Sequence, residues 1–189
     1  MAVEIELKAW ADKPEQTREI LSRIARYAGE FLKEDAYWHL PQGSAPSLRI
    51  RHEARSAPQE SPGDLVTFKT KNVREGIEVN REIEFRVSSR AAFEEFLGFL
   101  GLEPAAAKRK RGARWDYPGS PGEEPVTVEL LEVEGLGWFL ELEIIAGDDD
   151  PETVKAARKR LFALLEEAGI AEDRLETRYY TEMLRGKLR

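Results

Sequence analysis

The stretch Val3-Glu4-Ile5-Glu6-Leu7-Lys8 decides how the rest of this chain is read. Apolar and charged residues alternate without a break, which is the period of a β-strand with one buried and one polar face. On the polar face two carboxylates stand roughly 6.6 Å apart along the backbone, close enough to reach one hard cation, and a lysine follows them. A solvated strand in a Glu- and Lys-rich chain gives the same string. The weight of the pattern therefore depends on its recurrence.

It recurs. Residues 47–54 set Arg49 and Arg51 against Leu48 and Ile50, and 65–71 set Lys69 and Lys71 against Val66 and Phe68. Residues 76–87 set Glu78, Asn80, Glu82, Glu84 and Arg86 against Ile77, Val79, Ile83, Phe85 and Val87. Further strands are expected over 31–39, from the basic run 108–111 to Tyr117, over 126–133, and over 138–146 with Glu141 and Glu143. Helices are expected from Pro14 to about Ala28 with Gly29 as the stop, from Ser88 or Ser89 to Leu100 with Gly101 as the stop, from Asp150-Pro151 to Ala168, and over 173–186. Loops are expected over 41–46, 55–64 and 118–125. Short, turn-rich connections imply antiparallel pairing, and there is no βαβ rhythm or Gly-rich phosphate loop.

The charged rows are nearly single-signed: Glu4/Glu6, Arg49/Arg51, Lys69/Lys71, Glu82/Glu84, Glu141/Glu143. An ordinary one-sided sheet shows a mixed polar face. Closing about eight strands into a barrel with these rows inward gives a lumen wide enough for one small ligand. Acidic strands would hold metal on one wall, and basic strands would hold phosphate oxygens on the other. The expected fold is α+β: a closed antiparallel β-barrel with flanking helices and a charged tunnel, in one domain spanning 1–189.

Composition narrows the classes. A net charge of −7, from 36 acidic and 29 basic residues, disfavours non-specific nucleic-acid binding. The run Lys108–Arg111 lacks the interleaved aromatics of a nucleic-acid patch. With no cysteine, disulfides and thiolate chemistry are excluded. His39 and His52 are the two histidines, too few for an easy zinc site or His-based catalysis, and are read as loop or surface residues. No apolar run approaches the ~20 residues of a membrane span, and no signal peptide is seen, so a cytoplasmic address without a membrane partner is expected.

The ordered set of motifs resembles the CYTH, or triphosphate tunnel metalloenzyme, superfamily, whose members include class IV adenylyl cyclases and inorganic and thiamine triphosphatases. Glu4-Ile5-Glu6-Leu7-Lys8 looks like its N-terminal signature, Asp35-Ala36-Tyr37-Trp38 its Asp-x-Tyr-aromatic strand, and Leu48-Arg49-Ile50-Arg51 its paired-arginine strand. Phe68-Lys69, Arg81-Glu82-Ile83-Glu84 and Lys108-Arg109-Lys110-Arg111 resemble the strands that follow. Gly135-Leu136-Gly137 leading to Glu141-Leu142-Glu143, and the tail from Tyr179 to Leu184, complete it, with Tyr179 in place of the usual serine. One departure stands out: the aspartate often found four residues before the Gly-Leu-Gly turn is Leu131, and Glu129 is the nearest carboxylate on that face.

The resemblance implies a triphosphate substrate: ATP, inorganic triphosphate or thiamine triphosphate. It implies Mg²⁺ or Mn²⁺ on Glu4, Glu6, Glu141, Glu143 and Glu129, hard oxygen donors suited to those ions. Arg49, Arg51, Lys8 and Lys69 form the clamp, with Lys8 and Lys69 stabilising charge as the phosphoryl bond breaks. Lys71 is a further member. In the run 108–111 either Lys108/Lys110 or Arg109/Arg111 face inward; Arg109 and Arg111 are the favoured pair. Glu82 and Glu84 either orient the clamp arginines, the favoured reading, or bind metal. Tyr37 and Tyr180 either touch substrate or pack at a barrel mouth. The expected reaction is that of a class IV adenylyl cyclase, with triphosphatase as the alternative and non-catalytic polyphosphate or nucleotide binding as a third reading. A homodimer is compatible with all three.

Overall fold

The alternation that opens the chain becomes strand β1 (Val3–Trp10), with Val3, Ile5, Leu7 and Ala9 buried on one side. The structure is a computed structural model and describes residues 2–40, 48–56, 63–119 and 122–187, with the side chains of Lys71, Arg74 and Lys187 outside that set. Seven more strands follow: β2 (Arg26–His39), β3 (Leu48–Arg55), β4 (Asp64–Arg74), β5 (Ile77–Val87), β6 (Glu103–Tyr117), β7 (Val126–Val133) and β8 (Gly137–Ala146). They run antiparallel in the order β1-β5-β4-β3-β2-β6-β7-β8, and β8 pairs with β1 to close the barrel. Closure leaves no exposed sheet edge.

Four helices cover the outside: α1 (Pro14–Ile24), α2 (Arg90–Phe99), α3 (Pro151–Glu167) and α4 (Tyr180–Lys187). Leu21 of α1 and Val154, Leu161 and Leu165 of α3 pack on the outer faces of β1, β7 and β8 in a core that includes Trp115. Leu97 of α2 packs on Trp38, Ile50 and Val66. A third apolar group lies within the barrel, where Tyr180 and Met183 of α4 meet Phe31, Leu131, Val133 and Phe139. That group closes one end. No helix among the described residues is long and apolar enough to cross a membrane.

The closed eight-stranded antiparallel barrel agrees with the expected fold; several boundaries differ. Helix α1 stops at Ile24, and Ala25 is already extended at φ −134° and ψ 156°. Residues 26–28, expected as the helix's last turn from the spacing of Ile24, Ala25 and Ala28, instead belong to β2. Pairing with β6 overrides local propensity there, and Tyr27 meets Trp115 edge-on with ring centroids 5.6 Å apart. Gly29 is not a helix stop: its φ of 117° sits where the β2–β6 pairing slips by one residue, a β-bulge. Strand β6 starts five residues before the basic run, at Glu103. The single helix expected over 173–186 is a 3₁₀ turn (Glu172–Arg174), an extended segment and α4. The extended segment is pinned to β1, where Ala9 bridges Leu175 and Glu176 N–H donates to Lys8 O at 2.8 Å. The loop expected over 41–46, and the middle parts of those over 55–64 and 118–125, fall outside the described residues.

Gly112 marks a tight approach of β6 to β7. A Cβ there would stand 2.3 Å from Leu130 O and 2.7 Å from Leu131 Cα, both backbone atoms that cannot swing away. Gly112→Ala is expected to lose about 1–3 kcal/mol of stability. Thermal or urea unfolding checks it, and an unchanged midpoint would show that the strands have room to part.

Candidate active site

Because side chains alternate along a strand, closure commits every second residue to the lumen. The inward rows line one cavity of about 550 Å³ that Glu4, Glu6, Lys8, Arg49, Arg51 and Lys69 all share. Glu82, Glu84, Glu129, Glu141, Glu143, Tyr37 and Tyr180 line the same cavity.

On the acidic wall β1 and β8 place Glu6 opposite Glu143. From β4, Lys69 Nζ donates to Glu4 Oε1 at 2.8 Å and Glu6 Oε2 at 3.2 Å and lies 3.1 Å from Glu82 Oε1. One ammonium thus serves three carboxylates. Burial, then Glu4, Glu6 and Glu129, push the Glu143 carboxyl up to about 8. Burial also raises Glu6, with Glu4 and Glu141 adding to it against the pull of Lys69.

Glu129 and Glu141 are placed differently. Lys33 Nζ donates to both oxygens of Glu129, at 2.5 and 2.7 Å. Glu141 accepts from Lys110 Nζ at 2.8 Å and from the Tyr180 hydroxyl at 2.7 Å. Burial would raise both carboxyls. Lys33 and Lys110 outweigh it at Glu129, and Lys110 and Lys108 outweigh it at Glu141, so both are held below the usual carboxylate range.

On the basic wall Asp35 grips Arg51 through Nε at 2.7 Å and Nη2 at 3.0 Å, with Lys108 Nζ 3.2 Å from Asp35 Oδ2. Burial, followed by the repulsion of Lys110 and Arg51, lowers Lys108 to about 7 despite Asp35. Arg49 Nη2 donates to Thr67 Oγ1 at 2.9 Å, and Thr67 in turn donates to Glu84 Oε1 at 2.7 Å. The buried Nε of Arg49 has no acceptor among the described residues.

Several expected positions are corrected. Arg109 and Arg111 face outward, their side chains 55% and 73% exposed beside Glu34 and Glu132, whereas Lys108 and Lys110 are each 5% exposed and line the cavity. Register with β2 decides this: Lys110 pairs with Lys33 and Lys108 with Asp35, both inward. Asp35, rather than Glu82 or Glu84, orients Arg51; Glu84 reaches Arg49 through Thr67, and Glu82 serves Lys69. The Lys71 side chain lies outside the described residues. Leu131 is buried in the apolar group against α4, where a carboxylate would meet Phe31, Phe139 and Met183. Neither His39 nor His52 lines the cavity. Lys33, which alternates with Asp35 and Tyr37, also lines the cavity; its partner Glu129 is remote in sequence, and only barrel closure brings them together.

A barrel of this order, with acidic and basic rows facing across its lumen, can be compared with known proteins. The profile of the CYTH domain matches residues 2–180. The chain belongs to the CYTH domain family. A Methanocaldococcus jannaschii protein that carries the name "putative adenylate cyclase" is 25% identical over 182 residues, covering 96% of this chain and 98% of that one. A solved structure from Pyrococcus horikoshii superposes with a TM-score of 0.79 at 27% identity, over 97% of this chain and 99% of that one. A Hippeastrum structure, described as a "putative adenylyl cyclase" with dominant triphosphatase activity, superposes with a TM-score of 0.62 at 17% identity over 99% of this chain and 96% of that one, and shows the fold alone.

Enzymes of the CYTH triphosphate tunnel type generally depend on a divalent metal. The donors in this CYTH tunnel fit a hard cation chemically. Glu143 faces the like charge of Glu4, Glu6 and Glu129, which Lys69 offsets only in part and a bound cation would offset further. Asn80, paired opposite Glu4 and fully buried, has neither amide atom hydrogen-bonded among the described residues. Among the described residues no group of three or more His, Cys, Asp or Glu is already placed to hold a metal ion, and Lys69 bridges Glu4 and Glu6.

A pH test follows for the metal-free protein. The folded state holds the Glu143 proton to about pH 8, from an ordinary value of 4.5, so this group's contribution to stability declines as pH rises between those values. Glu143→Gln, which mimics the protonated form, is expected to gain melting temperature on the wild type as the pH is raised from about 5 to about 8. Calorimetry in chelator reads it; parallel curves would mean Glu143 ionises normally.

Proposed function

We propose that this CYTH domain is a divalent-metal-dependent enzyme acting on a triphosphate, and that its reaction converts ATP to cyclic AMP and pyrophosphate. One observation carries the reading: Arg49, partly buried, keeps a buried Nε–H without an acceptor among the described residues, in the same cavity as the Glu4, Glu6 and Glu143 carboxylates. The name of the Methanocaldococcus relative supports the cyclase direction.

Arg49 and Arg51 offer planar forks that match phosphate oxygens two at a time, and Arg51 is held in place by Asp35. Lys8, Lys69, Lys108 and Lys110 add point charges around the same space. Glu4, Glu6 and Glu143 would hold Mg²⁺ or Mn²⁺, with Asn80 beside Glu4 as a further oxygen donor. When bound, the ion supplies charge neutralisation at the phosphate oxygens. In the cyclase reaction the ribose 3′-oxygen bonds to the α-phosphorus, the Pα–O bond to the β-phosphate breaks, the hydroxyl proton is released and pyrophosphate leaves. Arginine and lysine side chains stabilise the charge that develops on the departing oxygens.

Purified protein given ATP, inorganic triphosphate or thiamine triphosphate with Mg²⁺ or Mn²⁺ is expected to form cyclic AMP and pyrophosphate from ATP. Orthophosphate release would make it a triphosphatase, and saturable binding without turnover would end the enzyme reading.

The two clamp arginines separate binding from folding. Arg49→Ala is expected to weaken ATP binding about 10–100-fold, the worth of a charge-assisted contact, with the melting temperature little changed. Arg51→Ala strips Asp35 of its bidentate partner and is expected to cost about 3 kcal/mol of stability. Titration calorimetry and thermal unfolding of both variants check this. Equal loss of stability in the two would remove the distinction.

A further inference from the structure

The carboxylates of the lumen fall into two groups. Glu129 on β7 and Glu141 on β8 are cross-strand neighbours, and so are Lys33 on β2 and Lys110 on β6. Lys33 Nζ donates to both oxygens of Glu129, while Lys110 Nζ donates to Glu141 at 2.8 Å and lies 4.0 Å from Glu129. Two carboxylates thus meet two ammoniums, and this part of the wall is neutral. The other group is not. Glu4, Glu6 and Glu82 share the single ammonium of Lys69, and Glu143 stands opposite Glu6 as a fourth carboxylate. A divalent cation is drawn to the second group and has little to gain at the first.

Glu129 is among the metal ligands that the family resemblance implies, and its surroundings do not fit that role. A carboxylate binds a hard cation through its oxygens, and both oxygens of Glu129 already accept from Lys33. That ammonium is firmly seated. Lys33 is buried, and its Nζ lies 3.9 Å from Glu53 and 4.3 Å from the centre of the Phe31 ring, whose face also favours a cation. The inward neighbours of Glu129 on β7 are Thr127 and Leu131, and Leu131 is packed among apolar side chains, so the strand brings no second carboxylate. A divalent ion at Glu129 would also face the positive charge of Lys33 and Lys110 where water screens it poorly.

We infer that Lys33 takes the place of a metal ion at Glu129, so that the tunnel admits a single divalent cation, on the Glu4, Glu6 and Glu143 side. This rests on the metal-dependent reading above and goes beyond it: Lys33 and Glu129 are a fixed, neutral piece of wall, and a side chain rather than a second ion balances that carboxylate.

The test counts bound Mn²⁺, with no substrate present, by electron paramagnetic resonance and titration calorimetry. Wild type, Lys33→Met and the double variant Lys33→Gln/Glu129→Gln are compared, each with its thermal unfolding curve. Wild type is expected to bind one Mn²⁺. Lys33→Met leaves Glu129 without its partner and is expected to bind two. The double variant removes both charges together, which a buried pair tolerates better than loss of one partner. It is expected to keep one Mn²⁺ at unchanged affinity, and it decides the matter if Lys33→Met does not fold. Two Mn²⁺ on wild type, one on a folded Lys33→Met, or a loss of about tenfold or more in the double variant, the least that a disturbed ligand costs, overturns the inference and leaves the metal reading intact. If wild type binds no Mn²⁺, the metal reading itself falls and this inference with it.

Discussion

In a closed barrel every second side chain is committed to the lumen, and no edge lets a charge escape to water. Each inward charge must therefore find its opposite across or along the wall. Lys33 with Glu129, Lys110 with Glu141, and Arg51 with Asp35 and Lys108 are the results. Removing such ions from water costs several kcal/mol each, and close pairing with hydrogen bonds offsets much of it. The remainder is met outside, where α1, α2 and α3 bury the aliphatic faces of the same strands. The barrel is an apolar belt stabilising a polar interior that could not stand alone.

The matching inside is incomplete, and the groups left over define the site. Glu143 faces Glu4 and Glu6 without a cation of its own, Asn80 is buried with its amide unspent, and Arg49 keeps one unsatisfied donor. Asp35 and Arg51, by contrast, satisfy one another. The interior thus divides into pairs that hold the walls in position and residual groups whose cost a ligand can relieve. Buried polar atoms left unbonded are rare in folded proteins; among the described residues those of Arg49 and Asn80 are on lumen-facing strand positions, while those of Trp115 and Arg174 lie outside the barrel interior.

The two ends of the chain meet at the floor of the tunnel. Lys8 Nζ donates to Arg178 O at 2.6 Å, Trp10 Nε1 to Glu176 Oε2 at 3.2 Å, and the Tyr180 hydroxyl to Glu141. Strand β1 carries the first two carboxylates, and the C-terminal segment locks onto it. This contact closes one end of the cavity and ties the C-terminal segment to the strand that carries Glu4 and Glu6.

Much of this was legible in the linear chain. Strict alternation at Glu4-x-Glu6-x-Lys8, Arg49-x-Arg51 and Glu141-x-Glu143 marked the inward rows, because a side-chain period of two survives any packing of the strand. Alternation could not choose between Lys108/Lys110 and Arg109/Arg111, since both pairs satisfy it; only pairing with Lys33 and Asp35 on β2 did. Nor could it show that β2 begins at Arg26, where local helical spacing lost to a long-range partner. The residues themselves settled which chemistry is present and that it lies on strand faces. Tertiary structure alone decided which charges neutralise each other and which remain free, because those partners lie up to a hundred residues apart and meet only when the barrel closes.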